Sequence, residues 1–224
     1  MPTQLTRAPA DYFYFFMSFL IGAVVVCGFG PTVNQRFLHP SHPKPFLLSI
    51  HAAIFAAWVV FYVVQSALVR SGNVGIHRRL GWLGVAIGVV IPIIGTITAV
   101  TMRRFDLLDP ELALRAPLLR TALLDLTSFT VPFAMAIYWR RKPELHRRLM
   151  LIASCALTAA AFVRFPAAFH AWPWFYVGVD LLVLLGVLRD LIVNRRVHPV
   201  YLCALPVLIL AQGIVMDTIL HFWR

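Results

Sequence analysis

Long apolar runs, separated by short polar and basic turns, dominate the pattern of hydrophobic positions along the chain. Each run approaches the roughly 20 residues that an α-helix needs to cross a bilayer. The pattern predicts about seven transmembrane helices, at 12–33, 46–69, 80–102, 116–139, 145–165, 172–193 and 200–222. Three prolines lie well away from the ends of predicted spans, where we expect them to kink the helices: Pro92, Pro132 and Pro206.

The composition agrees with an all-α, polytopic membrane bundle. Hydrophobic residues make up 60% of the chain and charged residues 13%, whereas a soluble domain carries about a quarter charged residues. A water-soluble globule is therefore excluded, and the 224 residues leave no room for a sizeable extramembrane domain. No small-residue cleavage site follows the first run, so we expect a retained helix there. Each of the three cysteines lies in a separate apolar run, as is typical of packing residues.

The positive charge indicates a membrane topology. The net charge of +11 comes from 20 Lys and Arg residues against 9 Asp and Glu residues. Twelve of the basic residues fall at the N-terminus and in the regions around the turns after spans two, four and six. The positive-inside rule then predicts a cytoplasmic N-terminus and a periplasmic C-terminus in a bacterial inner membrane. The short basic turns suit anionic lipid headgroups, and they are too short to form a nucleic-acid-binding module.

An internal repeat relates two parts of the chain. Residues 70–92 and 140–166 each contain a basic turn, then His-Arg-Arg-Leu, then an apolar helix, with an offset of 69 residues. Two helical hairpins that bury their inner faces against each other would form a four-helix core. We therefore predict a single membrane domain with a duplicated hairpin core at 46–165 and peripheral helices in 1–45 and 166–224.

His77 and His146 occupy equivalent positions in the repeat, and we expect them to meet when the two hairpins pack. Imidazole is suited to axial ligation of haem iron, and Arg78 and Arg147 are placed to pair with haem propionates. The alternative is that both His-Arg-Arg segments anchor the helices to lipid phosphates. Small residues at helical spacing follow His77 and predict either a smooth face for a flat macrocycle or a close helix contact: Gly81, Gly84, Gly88 and Gly95.

Span two carries a patterned face. His51, Phe55, Trp58, Tyr62 and Gln65 recur at three- and four-residue steps and so project to one side of the helix. A lipid-facing stripe needs neither His nor Gln, which favours an inward orientation. The face is typical of core packing, and the polar residues at its two ends also suit the wall of a pocket.

Three carboxylates fall in the halves of the predicted spans nearer the outer face, where each needs a partner or a functional role: Asp125, Asp180 and Asp217. The candidate partners at a similar depth are Arg164, Arg120, His51 and His221. One interpretation is a structural ion pair between Asp125 and Arg164. Another is a metal or proton site, and a zinc site formed by His51, His221 and Asp217 would suit metal-assisted hydrolysis at the outer leaflet.

The motifs together resemble a family of uncharacterised bacterial multispan membrane proteins. The resemblance rests on His51, on Gln65 one helix length later, on His-Arg-x-x-Gly at 77–81 and on His-Arg-x-x-Met at 146–150. That family is distantly similar to the transmembrane b-type cytochromes, in which histidines pair between the helices of a four-helix core. The resemblance implies that His77 and His146 hold a haem. The other pairing of that core would need a histidine on span four opposite His51, which span four lacks, so His170 or His221 would have to take its place.

The leading hypothesis is a membrane electron-transfer protein with a b haem between His77 and His146. Its electrons would come from a quinol or from a redox partner protein. The alternatives are the zinc-dependent hydrolase and a non-enzymatic accessory or transport subunit. No catalytic residue can be assigned from the sequence.

Overall fold

The structure is a computed structural model that describes residues 12–33, 45–108, 119–165 and 175–222, with side chains up to Asp217 in the last segment. All regular secondary structure within these residues is helical, which confirms the all-α prediction. The helices are α1 (Phe13–Val33), α2 (Phe46–Arg70), α3 (Val74–Leu107), α4 (Leu119–Tyr138), α5 (Pro143–Ala156), α6 (Ala159–Phe162), α7 (Phe175–Asn194) and α8 (Pro199–Phe222).

Each of the seven predicted spans corresponds to one long helix or, in one case, to a broken pair. Within the described residues, six stretches are long and apolar enough to cross a membrane: α1, α2, α3, α4, α5 with α6, and α8. Helix α7 has 20 residues but is not among them. Three charged residues fall within it, Asp180, Arg189 and Asp190.

Two spans differ from their predicted bounds. Helix α3 has 34 residues and continues through Arg103 and Arg104, since straight-chain basic residues favour helix even where hydrophobicity ends. The fifth span divides into α5 and α6 at a turn formed by Leu157 and Thr158. There the Thr158 hydroxyl donates a hydrogen bond of 2.6 Å to the Cys155 carbonyl. Neither proline nor glycine marks this break in the sequence.

Three turns lie at one end of the bundle, which we call the basic end: residues 71–73, 139–142 and 195–198. They connect α2 to α3, α4 to α5, and α7 to α8. Contacts between His77 and His146 and between Arg148 and Asp190 bring these three hairpins together. The basic end therefore collects side chains from α3, α5 and α7.

Helix α5 lies between two apolar clusters, and its residues 148–156 are all buried except the half-buried Met150. The first cluster joins α2, α3, α4 and α5 through Trp58, Ile91, Leu126, Phe129, Phe133 and Ala153. The second joins α1, α2, α5, α7 and α8 through Met17, Ile21, Tyr62, Leu151, Ile152, Cys155, Leu182, Val183, Tyr201 and Leu208. The helices outside 46–165 thus pack directly on α5.

The glycines of α3 provide close helix contacts. A Cβ atom added at Gly84 would collide with the ring of Phe61 on α2, and one at Gly88 would collide with the ring of Phe133 on α4. This part of the glycine stripe is therefore filled by aromatic side chains. Gly81 differs, because an added Cβ there would meet no described atom within 4 Å.

Candidate functional site

The imidazoles of His77 and His146 are neighbours at the basic end. His77 lies in the first turn of α3, and His146 is the fourth residue of α5, which begins at Pro143. Their ring centroids are 6.3 Å apart, with an angle of 73° between the ring planes. The structure thus brings together the two histidines that the repeat predicts to meet.

A backbone carbonyl orients the His146 ring. Its Nδ1 lies 2.9 Å from the carbonyl oxygen of Ala136, in the last turn of α4. Carbonyls in a last helical turn have no intrahelical partner, so a protonated Nδ1 caps α4 through this bond. In that tautomer Nε2 carries the free lone pair. Metal-binding histidines are commonly oriented by such a bond from the other ring nitrogen.

The repeat is asymmetric at this bond. The residue equivalent to Ala136 is Ala67, and its carbonyl oxygen already accepts a hydrogen bond of 2.8 Å from the Ser71 amide. The equivalent nitrogen, Nδ1 of His77, is buried and has no hydrogen-bond partner among the described residues. A buried polar atom without a partner is costly unless something else satisfies it. His77 therefore has a ring nitrogen whose hydrogen-bonding capacity is unused.

The spacing of the two rings suits a shared metal. Two metal–nitrogen bonds of about 2 Å each, added to the radii of two imidazole rings, come to about 6 Å between ring centres. No group of three His, Cys, Asp or Glu side chains able to hold a metal exists within the described residues. A metal at this pair would need its other ligands from elsewhere, and a porphyrin supplies four. Within the glycine stripe that follows His77, open space beside α3 remains at Gly81, whereas Phe61 closes the stripe at Gly84.

The arginines beside the two histidines differ in their contacts. The guanidinium of Arg147 lies 2.5 Å from the Glu144 carboxylate, and it also lies 5.2 Å from the centre of the Tyr14 ring. The sequence predicts that Arg147 pairs with a haem propionate, but in the structure its guanidinium contacts Glu144 and Tyr14 instead. Arg78 and Arg79 are exposed next to His77.

An ion-pair network behind the histidines was missed by sequence reasoning. Arg148 donates to Asp190 through Nε at 2.8 Å and through Nη2 at 2.7 Å, and both side chains are at most 1% exposed. Arg148 also donates to the Glu144 carboxylate at 2.6 Å. Arg189 and Asn194 donate to Asp190 at 2.9 and 3.0 Å. The sequence signal that could have revealed it is that acidic and basic residues lie next to turns at the same end of the bundle and can therefore pair.

His198 adds a titratable group to the same end, in the turn before α8. Its Nδ1 accepts a hydrogen bond of 3.2 Å from the Val200 amide, so it caps the first turn of α8. Burial holds the pKa of His198 below its ordinary value of 6.5, and the positive charge of Arg148 acts in the same direction. The neutral ring is the form that can accept the capping bond.

The patterned face of α2 points largely inward. Trp58, Tyr62 and Gln65 are 2%, 7% and 8% exposed, and Trp58 makes edge-to-face contacts with Phe129 and Phe133. Both amide atoms of Gln65 are buried without a hydrogen-bond partner in the described part of the chain. At the other end of the face His51 is half-buried and stacks on Phe55, with ring centroids 4.1 Å apart. The middle of this face, at Trp58 and Tyr62, thus forms part of the apolar core.

The intramembrane carboxylates have partners other than those expected. Asp125 accepts a hydrogen bond of 2.9 Å from the Tyr176 hydroxyl, so the suggested ion pair with Arg164 is not what the structure contains. Arg164 instead donates to the Ala160 carbonyl, and its guanidinium lies 4.4 Å from the centre of the Phe29 ring. Sequence reasoning overlooked tyrosine because a hydroxyl carries no charge to balance that of a carboxylate.

The remaining carboxylates of the predicted spans differ in burial. Asp180 is half-buried and accepts a hydrogen bond of 3.2 Å from the Gln212 amide. Asp217 is exposed on α8, which corrects its expected burial. The side chain of His221 lies outside the described residues, so the zinc site of His51, His221 and Asp217 stays a hypothesis.

Comparison with known proteins gave no matching family model, no matching curated protein and no matching solved structure.

Proposed function

We propose that the protein is an electron-transfer protein of a bacterial inner membrane that holds one b-type haem between His77 and His146. The observation that carries the proposal is the pair of imidazoles with centroids 6.3 Å apart, one of them oriented through Nδ1 by the Ala136 carbonyl. When bound, a haem supplies one-electron redox chemistry, at a potential set by its axial ligands and surroundings. The six apolar helical stretches support a bilayer environment.

The residues around the pair have distinct roles in this proposal. The Ala136 carbonyl fixes the tautomer of His146 and leaves its Nε2 directed away from α4. Arg78 and Arg79, exposed beside His77, are the cations available to pair with propionates, whereas Arg147 is already paired with Glu144. Charge-assisted hydrogen bonds of this kind are among the stronger ones.

The excess of basic residues supports a cytoplasmic basic end under the positive-inside rule. The electron donor would then be a quinol within the bilayer or a redox protein at that face.

A reduced-minus-oxidised absorption spectrum of the purified protein tests the proposal. We expect the α band of a b haem with about one iron per chain, and loss of that band in His77→Ala and in His146→Ala. His198→Asn is the matched control, because His198 lies at the same end but caps α8, and its band should persist. A wild-type protein without iron overturns the haem proposal, and stoichiometric zinc in its place would favour the hydrolase.

A further inference from the structure

Two carboxyl groups in the half of the bundle away from the basic end have neutral hydrogen-bond partners. Asp125 on α4 accepts from the Tyr176 hydroxyl at 2.9 Å, and Asp180 on α7 accepts from the Gln212 amide at 3.2 Å. Tyr176 and Asp180 are four residues apart on α7, so they project from the same face of that helix. The four side chains form a polar line across α4, α7 and α8.

The acids at the basic end have a different environment. Glu144 and Asp190 both accept hydrogen bonds from Arg148, and each has a further arginine partner. A carboxylate with a guanidinium partner is stabilised in its ionised form. The neutral donors of Asp125 and Asp180 supply no such compensating charge.

Other charged side chains and a histidine lie in the same half of the bundle. Those in the described part of the chain are His51, Arg103, Arg104, Asp106, Arg120, Arg164 and Asp217. The hydrogen bonds of Asp125 and Asp180 nevertheless go to Tyr176 and Gln212. An ionised carboxyl in the hydrocarbon region without a cation is costly, and binding a proton removes that cost.

We propose that Asp125 and Asp180 are proton-binding sites that exchange with the water at the end of the bundle opposite the basic end. Each carboxylate takes up one proton to become a neutral acid and returns it to the same water when it ionises. Tyr176 donates to Oδ1 of Asp125, which leaves Oδ2 to carry the proton. Both aspartates lie within the first two turns of their helices, next to the end of the bundle opposite the basic end, so the path to that water is short. The proposal does not depend on haem binding.

Infrared spectroscopy of the full-length protein in lipid nanodiscs tests this proposal. At neutral pH we expect a C=O stretching band of protonated carboxyl groups that shifts to lower frequency in D₂O. Asp125→Asn and Asp180→Asn should each remove part of its intensity. Tyr176→Phe should shift the Asp125 component to higher frequency, because a hydrogen bond to the carbonyl oxygen is lost. Glu144→Gln is the matched control and should leave the band unchanged, since Glu144 is paired with arginines.

The wild-type spectrum is decisive even if a variant fails to fold. Absence of a protonated-carboxyl band at neutral pH would overturn the proposal, because both aspartates would then be ionised. A band that keeps its full intensity in both asparagine variants would assign the protons to other residues and would overturn it as well.

Discussion

The guanidinium of Arg148 and the carboxylate of Asp190 form two hydrogen bonds, 2.8 and 2.7 Å long, that connect α5 to α7. Arg148 follows His146 by two residues, so the two side chains leave α5 on nearly opposite sides. The ion pair therefore holds one face of α5 against α7 while the His146 ring faces α3 and α4. This arrangement restricts rotation of α5 about its axis and so positions His146 beside His77.

Removing the acid of this pair should be strongly destabilising. We expect Asp190→Ala to lower the free energy of unfolding by about 3–5 kcal/mol, because it leaves a buried guanidinium without its main partner. Glu144→Gln should cost less than about 1 kcal/mol, since Glu144 is 59% exposed and surface ion pairs contribute little. Unfolding of the detergent-solubilised protein with increasing SDS, followed by circular dichroism, measures both. Equal costs for the two variants would contradict a special role for the buried pair.

Two glycines of α3 should respond oppositely to the same substitution. Gly88→Ala places a methyl group against the ring of Phe133, which stacks on Phe129, and should cost about 1–3 kcal/mol of stability. Gly81→Ala meets no described atom and should stabilise the helix by up to about 1 kcal/mol. Phe133→Ala combined with Gly88→Ala should cost less than the sum of the single variants. Additive costs in that double-mutant cycle would show that the two residues do not contact each other.

Stability should depend on pH through His198. The pKa of His198 is lowered by burial first and then by Arg148, with a smaller effect of Arg147 in the same direction, whereas Asp190 and Glu144 oppose the shift. A folded-state pKa below the unfolded value means that the stabilisation is complete above pH 6.5 and is lost as the pH falls below it. Thermal unfolding scans from about pH 7.5 down to about pH 5, an interval in which histidine changes charge, should show a falling midpoint.

The matched variant for this pH effect is His198→Asn, since asparagine also caps helices but does not titrate. Its unfolding midpoint should depend less on pH than that of the wild type over the same interval. If both proteins lose stability in parallel, another group is responsible.

The cysteines should differ in reactivity according to their burial. Cys27 and Cys203 are exposed on the helical surface, whereas Cys155 is buried at the centre of the bundle. A membrane-permeant maleimide should therefore modify two thiols in the folded, detergent-solubilised protein and the third only after denaturation, as measured by mass spectrometry. Rapid modification of Cys155 under native conditions would show that α5 is not enclosed by its neighbours.

Much of the helical architecture was predictable because apolar runs of spanning length have few alternatives to a transmembrane helix. The proximity of His77 and His146 was also predictable, since the repeat places both at the starts of helices that follow basic turns. The partners of charged groups were not predictable in the same way. Asp125 could have met any of several cations at its depth, and its actual partner, Tyr176, depends on how α7 packs against α4.

The break between α5 and α6 could not be predicted from the sequence either. Leu157 and Thr158 interrupt an alanine-rich segment that favours a helix, and the buried Thr158 hydroxyl bonds to the Cys155 carbonyl at this point. The buried pair of Arg148 and Asp190 was missed because a sequence places charges at an end of the bundle without indicating which of them are enclosed.

The length of α3 has a practical consequence for determining the sidedness of the protein. Its 34 residues extend for about 50 Å, and even at a tilt of about 40° the helix would outspan a hydrocarbon layer of about 30 Å. The charged residues Arg103, Arg104 and Asp106 favour the C-terminal end of α3 as the part outside the lipid, so a cysteine introduced at the exposed Leu108 should be reachable by a charged reagent from a single aqueous compartment. A comparison of the labelling in intact cells with the labelling in inverted vesicles would then reveal which compartment that is.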